Sequence, residues 1–266
     1  MLDFFSDAEF EEAKYRIIEH TLSDSMNPRK HPYCNLVVGQ PGAGKTRLVN
    51  ISMEELSGDA VYINGDSYRK FHPRYEDLQK RYGDKSVIHT QQFSARMTEA
   101  LIEELSNRRY NLIIEGTLRT TLVPVKTKQL LEGKGYTVSL LAMLVRPEIS
   151  YLSTIKRYAM MKETGLVPRK TPKEHHDLVV SAIADNIHVL YKQRHFEDIR
   201  IYNRQGDLLY DCMETPSKNP SHLFIEEFSR DLSTKERENI FKEYQGYADK
   251  EEIQSVLESY GRGGGR

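Results

Sequence analysis

"VVGQPGAGKT", residues 37–46, decides the fold. It fits G-x-x-x-x-G-K-[ST], with Gly39, Gly44, Lys45 and Thr46 in the fixed positions. The apolar run "YCNLVV" precedes it and reads as a buried strand. A helical pattern follows from near Lys45. Glycines let backbone N–H groups turn inward around phosphate, and the positive end of the next helix adds to the field. Gly39, Gln40, Pro41, Gly42, Ala43, Gly44, Lys45 and Thr46 are thus the expected phosphate cradle. Lys45 is expected to reach the β- and γ-phosphates and Thr46 to bind Mg²⁺.

Working outward, strands alternate with helices. Ser6 and Glu9 stand at capping-box spacing, which predicts a helix over about 7–22. "DAVYING", "YNLIIEGT" and "GYTVSLLAMLV" read as further strands. The stretch 86–110 carries a long helix with Phe93, Met97, Leu101 and Leu105 as its apolar positions. Pro147 suits the first turn of the next helix. "TPKEHHD" predicts another, with Thr171 as cap, Pro172 at the first position and Glu174 completing the box. The segment 161–170 between them reads as a lid. A strand, a turn at Gln205-Gly206 and a second strand follow. Ser233 and Glu236 form another cap pair in a helical C-terminal part, and "GRGGGR" reads as a flexible tail. This predicts an α/β fold: a P-loop, mainly parallel sheet with helices on both faces, plus a C-terminal helical segment. The expected divisions are 1–215, 216–260 and the tail 261–266.

Bulk properties narrow the class. The chain has 266 residues, enough for a sizeable core, and a formal net charge of −1. A dominant nucleic-acid or anionic-membrane footprint is not expected. Two cysteines without Cys/His clusters argue against a zinc site or disulfide framework and fit a cytoplasmic protein. "LLAMLV" is far too short to cross a bilayer.

The residues after the P-loop point to group transfer. Asp66 follows Gly65 at a strand tip, where a carboxylate can take the proton of an attacking hydroxyl. Capping the next helix is the plainer role for it. Glu115 occupies the place of an acidic residue assisting Mg²⁺; a lysine partner is the alternative. Thr117 and Arg119 follow in the loop where a polar substrate would lie. Arg157 and Arg169 flank the lid, and guanidinium groups stabilise charge spread over the equatorial oxygens, though a solvated face is the commoner fate of such arginines. The pattern reaches a P-loop kinase of a small hydroxylated molecule and leaves the acceptor open.

"GQPGAGKT", "INGDSYRKFHP", "YNLIIEGTLRT", "RPEISYLSTIKRY" and "TPKEHHD" together resemble the zeta-toxin family of toxin–antitoxin kinases, PezT type, in collinear order over roughly 1–215. The resemblance implies transfer from ATP, with Mg²⁺, to the 3′-hydroxyl of the amino sugar of UDP-N-acetylglucosamine, blocking cell-wall synthesis. It implies Asp66 as general base, Lys45 as P-loop lysine, Arg157 and Arg169 at the transition state, and Glu99, Thr117 and Arg119 at the sugar nucleotide. It also implies a small helical antitoxin covering the ATP site. Asn64 stands where relatives of this family are expected to carry Asp, which removes a carboxylate near Mg²⁺. Two other readings stay open: a zeta-like kinase of another nucleotide acceptor, such as NAD or a polynucleotide end, and a nucleotide-dependent binding module without transfer.

Overall fold

A computed structural model describes residues 2–23, 26–164 and 167–261. Its elements are α1 (Asp7–Thr21), β1 (Tyr33–Val38), α2 (Thr46–Glu55), β2 (Val61–Ile63), α3 (Gly65–Tyr68), α4 (Tyr75–Tyr82), α5 (Ser86–His89), α6 (Gln91–Asn107), β3 (Leu112–Gly116), α7 (Leu122–Glu132) and β4 (Thr137–Met143). Then come α8 (Pro147–Glu163), α9 (Lys173–Lys192), β5 (Asp198–Tyr202), β6 (Leu208–Asp211), α10 (Ser221–Ser229), α11 (Thr234–Tyr244) and α12 (Lys250–Gly261). The six strands form one sheet in the order β2-β3-β1-β4-β5-β6. The expected α/β architecture is therefore present. No helix of the described residues is long and apolar enough to cross a membrane. The tail expected over 261–266 and part of the lid, Gly165 and Leu166, lie outside the described residues, apart from Gly261.

By packing, the chain divides into two compact units. The first holds the residues up to Leu36, Val49–Gly116 and Thr127–Val138. Within it β2 and β3 run parallel, with Val61 opposite Leu112, Tyr62 opposite Ile113 and Ile63 opposite Ile114. Phe93, Met97, Leu101 and Leu105 are all buried, as their spacing requires. Phe5, Phe10 and His72 meet the Phe93 ring edge-on at 5.1, 5.8 and 5.2 Å, which joins α1 to α6. The Ser6–Glu9 capping box is complete. The long helix expected within 86–110 is α6, set apart from the short α5 at Thr90. The Thr90 hydroxyl lies 3.1 Å from the Ser86 carbonyl and takes the Arg69 Nη1 at 3.1 Å, so the side chain draws bonds back from the turn before it.

The second unit holds Val37–Leu48, Thr117–Lys126 and the chain from Ser139 on. β4 pairs β5 in parallel and β5 pairs β6 antiparallel, with Gly206 at φ +93° in the turn. Leu152 of α8 sits in one apolar cluster with Leu232, Ile240, Tyr244, Ile253 and Leu257. The C-terminal helices thus finish the packing of α8. The Ser233–Glu236 capping box is formed, and Arg230 bonds the same Glu236 carboxylate, which lies well below the usual carboxylate range, at about 2. Ser233→Ala should cost about 1 kcal/mol of stability, read as a lower denaturant midpoint at unchanged slope.

The expected Thr171 capping box is wrong. α9 starts at Lys173 with Pro172 in the cap position and no side-chain cap bond. The Thr171 hydroxyl instead accepts from Arg157 Nη2 at 3.0 Å.

Candidate functional site

The phosphate loop is built within the second unit. Gly42 (φ +76°) and Gly44 (φ +88°) take left-handed backbone that a side chain would strain. A Cβ on Gly42 would lie 1.9 Å from the Ser150 carbonyl oxygen, so the loop rests directly on α8. Lys45 is buried, and its Nζ donates to the Gly39 and Gln40 carbonyls at 2.9 and 3.2 Å. The N–H groups of Gly42 and Gly44 have no backbone acceptor among the described residues. Donors left over in a glycine loop ahead of a helix suit a phosphate chain. Thr46 opens α2 with an exposed side chain, where its hydroxyl could hold Mg²⁺. Gly42→Ala should weaken nucleotide binding at least about ten-fold, measured by calorimetry, because the loop must move off α8.

Gln40 anchors this loop. It is fully buried, and its Nε2 donates to the Val145 carbonyl at 2.5 Å and the Ser150 hydroxyl at 3.3 Å. In the sequence Gln40 is only a variable position of the motif, so its structural duty was not legible there.

In the first unit, Asp66 lies at the carboxyl end of β2, in the first turn of α3. Asn64 caps that helix, accepting the Asp66 N–H at 3.0 Å, so Asp66 itself is not the cap. The Asp66 side chain is about half exposed (49%), and Arg69 Nε bonds its Oδ1 at 2.9 Å. Arg69 is held in turn by the Val87 carbonyl and the Thr90 hydroxyl. The Asn64 amide donates to Glu115 Oε2 at 3.3 Å, and the Tyr62 hydroxyl bonds the same oxygen. Burial and the adjacent Glu115 carboxylate push the Tyr62 phenol up, which keeps it a proton donor. Asn64 therefore ties Asp66 to Glu115. An aspartate in its place could cap α3 but not donate to Glu115. Glu99 is exposed on α6, one residue beyond Thr98. Thr98 and Ser94 pack against Gly65, and the Ser94 hydroxyl donates to the Gly65 carbonyl at 2.6 Å. Asp66 and Glu115 thus lie at the carboxyl ends of the paired strands β2 and β3, and Glu99 lies on α6 next to Thr98, which faces Gly65.

The remaining expected residues belong to the second unit. Thr117 and Arg119 are exposed on either side of buried Leu118. Leu118 has φ +59°, uncommon for leucine, and its carbonyl accepts from Asn186 Nδ2 at 2.9 Å. Asn186 was missed from sequence, since an asparagine inside a helix carries no signal of a partner 68 residues away. Arg157 is exposed on α8 and reaches across to Thr171; Arg169 lies half-buried in the connection to α9. Asn203 shapes the β5–β6 turn, accepting from the Gln205 and Asp207 N–H groups.

A P-loop ahead of α2, acidic residues at strand ends and a mainly parallel sheet define a P-loop protein of kinase-like fold. Comparison with known proteins agrees. The family model described as zeta toxin matches residues 18–215. Toxin PezT of Streptococcus pneumoniae serotype 4 is 44% identical over 214 residues, 79% of this chain and 83% of that protein. A solved chain of the PezAT chromosomal toxin–antitoxin system of Streptococcus pneumoniae superposes with a TM-score of 0.80 at 35% identity, covering 98% of both chains. A complex of AvrRxo1-ORF1 and -ORF2 with ATP shares the fold at a TM-score of 0.56 and 17% identity, over 95% of this chain and 82% of that one. The chain belongs to the zeta toxin family.

Proposed function

We propose that this protein is the toxin of a toxin–antitoxin pair and transfers the γ-phosphoryl group of ATP to the 3′-hydroxyl of the amino sugar of UDP-N-acetylglucosamine. The observation that carries a transfer reaction is Asp66 at the end of β2, oriented by Asn64 and Arg69 and open to solvent. A carboxylate so held can accept a hydroxyl proton as the oxygen attacks phosphorus. Asp66 and Glu115 stand at the carboxyl ends of their strands, where ligands of such sheets bind.

Each residue then has a task. The loop from Gly39 to Thr46 and Lys45 hold the triphosphate. Thr46 and Glu115 would hold Mg²⁺, which neutralises charge on the phosphate oxygens. Glu99, Thr117 and Arg119 orient the sugar nucleotide. Arg157 and Arg169 face the charge that develops in transfer. Residues 1–215 carry this chemistry, and 216–260 act as an extension that completes the packing around α8. An antitoxin would restrain the enzyme by covering the ATP site. Support for that partner comes from the toxin–antitoxin system to which the solved relative belongs.

The test is an acceptor panel: UDP-N-acetylglucosamine, NAD and an oligonucleotide end, each incubated with Mg²⁺–ATP, with products read by mass spectrometry. Phosphorylated UDP-N-acetylglucosamine alone is expected. Phosphorylated NAD with unchanged sugar nucleotide would replace the acceptor. ATP binding without any product would reduce the protein to a binding module.

A further inference from the structure

A continuous chain of polar contacts, buried at the phosphate loop and part-buried at the last helix, runs within the second unit. Gln40 Nε2 meets the Ser150 hydroxyl at 3.3 Å, and that hydroxyl lies 2.8 Å from His176 Nε2. His176 is fully buried on α9, while its neighbour His175 is exposed. On its other side, Nδ1 lies 3.1 Å from the Tyr260 hydroxyl of α12 and 3.3 Å from Asp177 Oδ1. Tyr260 also bonds Asp177 Oδ1, and Lys173 Nζ holds Oδ2 at 2.6 Å and sits over the Tyr260 ring.

We propose that His176 and Tyr260 are positioning residues for nucleotide binding, fixing the phosphate loop through Ser150 and Gln40. Two directions fit a neutral imidazole, because the Ser150 hydroxyl lies 2.8 Å from Nε2 and 3.0 Å from the Pro147 carbonyl. The Asp177 carboxylate beside Nδ1 favours the one in which Gln40 donates to Ser150, Ser150 donates to Nε2, and the Nδ1–H faces that carboxylate. Burial pushes the His176 imidazole down, favouring its neutral form. For Asp177, burial works to raise it, but the bonds from Lys173, Tyr260 and His176 outweigh that and keep it ionised. A carboxylate that selects the Nδ1–H tautomer leaves Nε2 as an acceptor, which is what the Ser150 proton needs. The same Ser150 supplies the carbonyl on which Gly42 rests. One residue therefore supports the loop by contact, and its hydroxyl is aimed by His176. The last helix thereby contributes to a site that its sequence gives no reason to connect with it.

The idea that ATP is the ligand rests on the function proposed above; the brace itself does not. The experiment uses the full chain and compares His176→Phe, Tyr260→Phe, Ser150→Ala and the double change of Tyr260 and Ser150. Two quantities are read: amide hydrogen exchange of residues 39–46 without nucleotide, and the Kd for Mg²⁺–ATP. Faster exchange in the loop and about three- to ten-fold weaker binding are expected from each single change. The double change should add little to Ser150→Ala, since both interrupt one chain. A fall in Tm with loop exchange and Kd at their wild-type values would overturn the proposal by showing a merely structural histidine. Should His176→Phe fail to fold, Tyr260→Phe decides by the same two readings. If the wild-type protein binds no ATP, the kinase reading fails, and the exchange measurement still decides the brace.

Discussion

Asp66→Asn is expected to keep nucleotide binding and to lose phosphoryl transfer by about 10²- to 10⁴-fold. The amide preserves size and can still accept from Arg69 Nε, so the turn of α3 should stay in place. Asn64, not Asp66, makes the cap bond, and the change leaves it untouched. What disappears is the capacity to take up a proton. Initial rates at saturating ATP and acceptor, with the Kd for Mg²⁺–ATP measured alongside, separate the two effects. Turnover near the wild-type value would remove Asp66 from the role. A protein that also fails to bind ATP would point to a disturbed fold instead.

Lys45→Ala should damage both binding and rate. The ammonium group is buried and tied to the Gly39 and Gln40 carbonyls, so it comes preorganised beside the loop. Removing it takes away a positive charge where negative charge develops, at a cost of about 10²- to 10³-fold in rate. Calorimetry and single-turnover rates check the two parts. Lys45→Arg should rescue neither well, because the planar guanidinium cannot replace a compact ammonium in a closed loop. Wild-type affinity in Lys45→Ala would show that the loop grips no triphosphate.

The parts of this account that were legible in the sequence are local ones. The P-loop is read from Gly39, Gly44, Lys45 and Thr46 at fixed spacing, and Gly44 takes the left-handed backbone, at φ +88°, that favours glycine. The two capping boxes at Ser6 and Ser233 each join residues three positions apart and form as their spacing predicts. The Thr171 box has the same spacing and fails. Pro172 occupies the cap position, and Arg157, fourteen residues away, claims the hydroxyl. The long helix within 86–110 is present as α6 with its apolar periodicity correct, and Thr90 sets the short α5 apart from it, its hydroxyl serving the preceding turn and Arg69. The family resemblance rests on motifs that lie within the residues 18–215 matched by the family model. It could not reveal what Asn64 does here, since that depends on Tyr62 and Glu115 on two paired strands. The His176 contacts were equally hidden: Ser150 and Tyr260 stand 26 and 84 residues away, and a histidine pair on a helix reads as plain structure.

The most direct measurement is a nuclear magnetic resonance spectrum of the product formed from Mg²⁺–ATP and UDP-N-acetylglucosamine. Phosphorus coupled to the proton at the 3′ position of the amino sugar is the predicted result, absent when Asp66→Asn is used. ADP and inorganic phosphate as the only new species, or a phosphoryl group at any other position, would contradict the account.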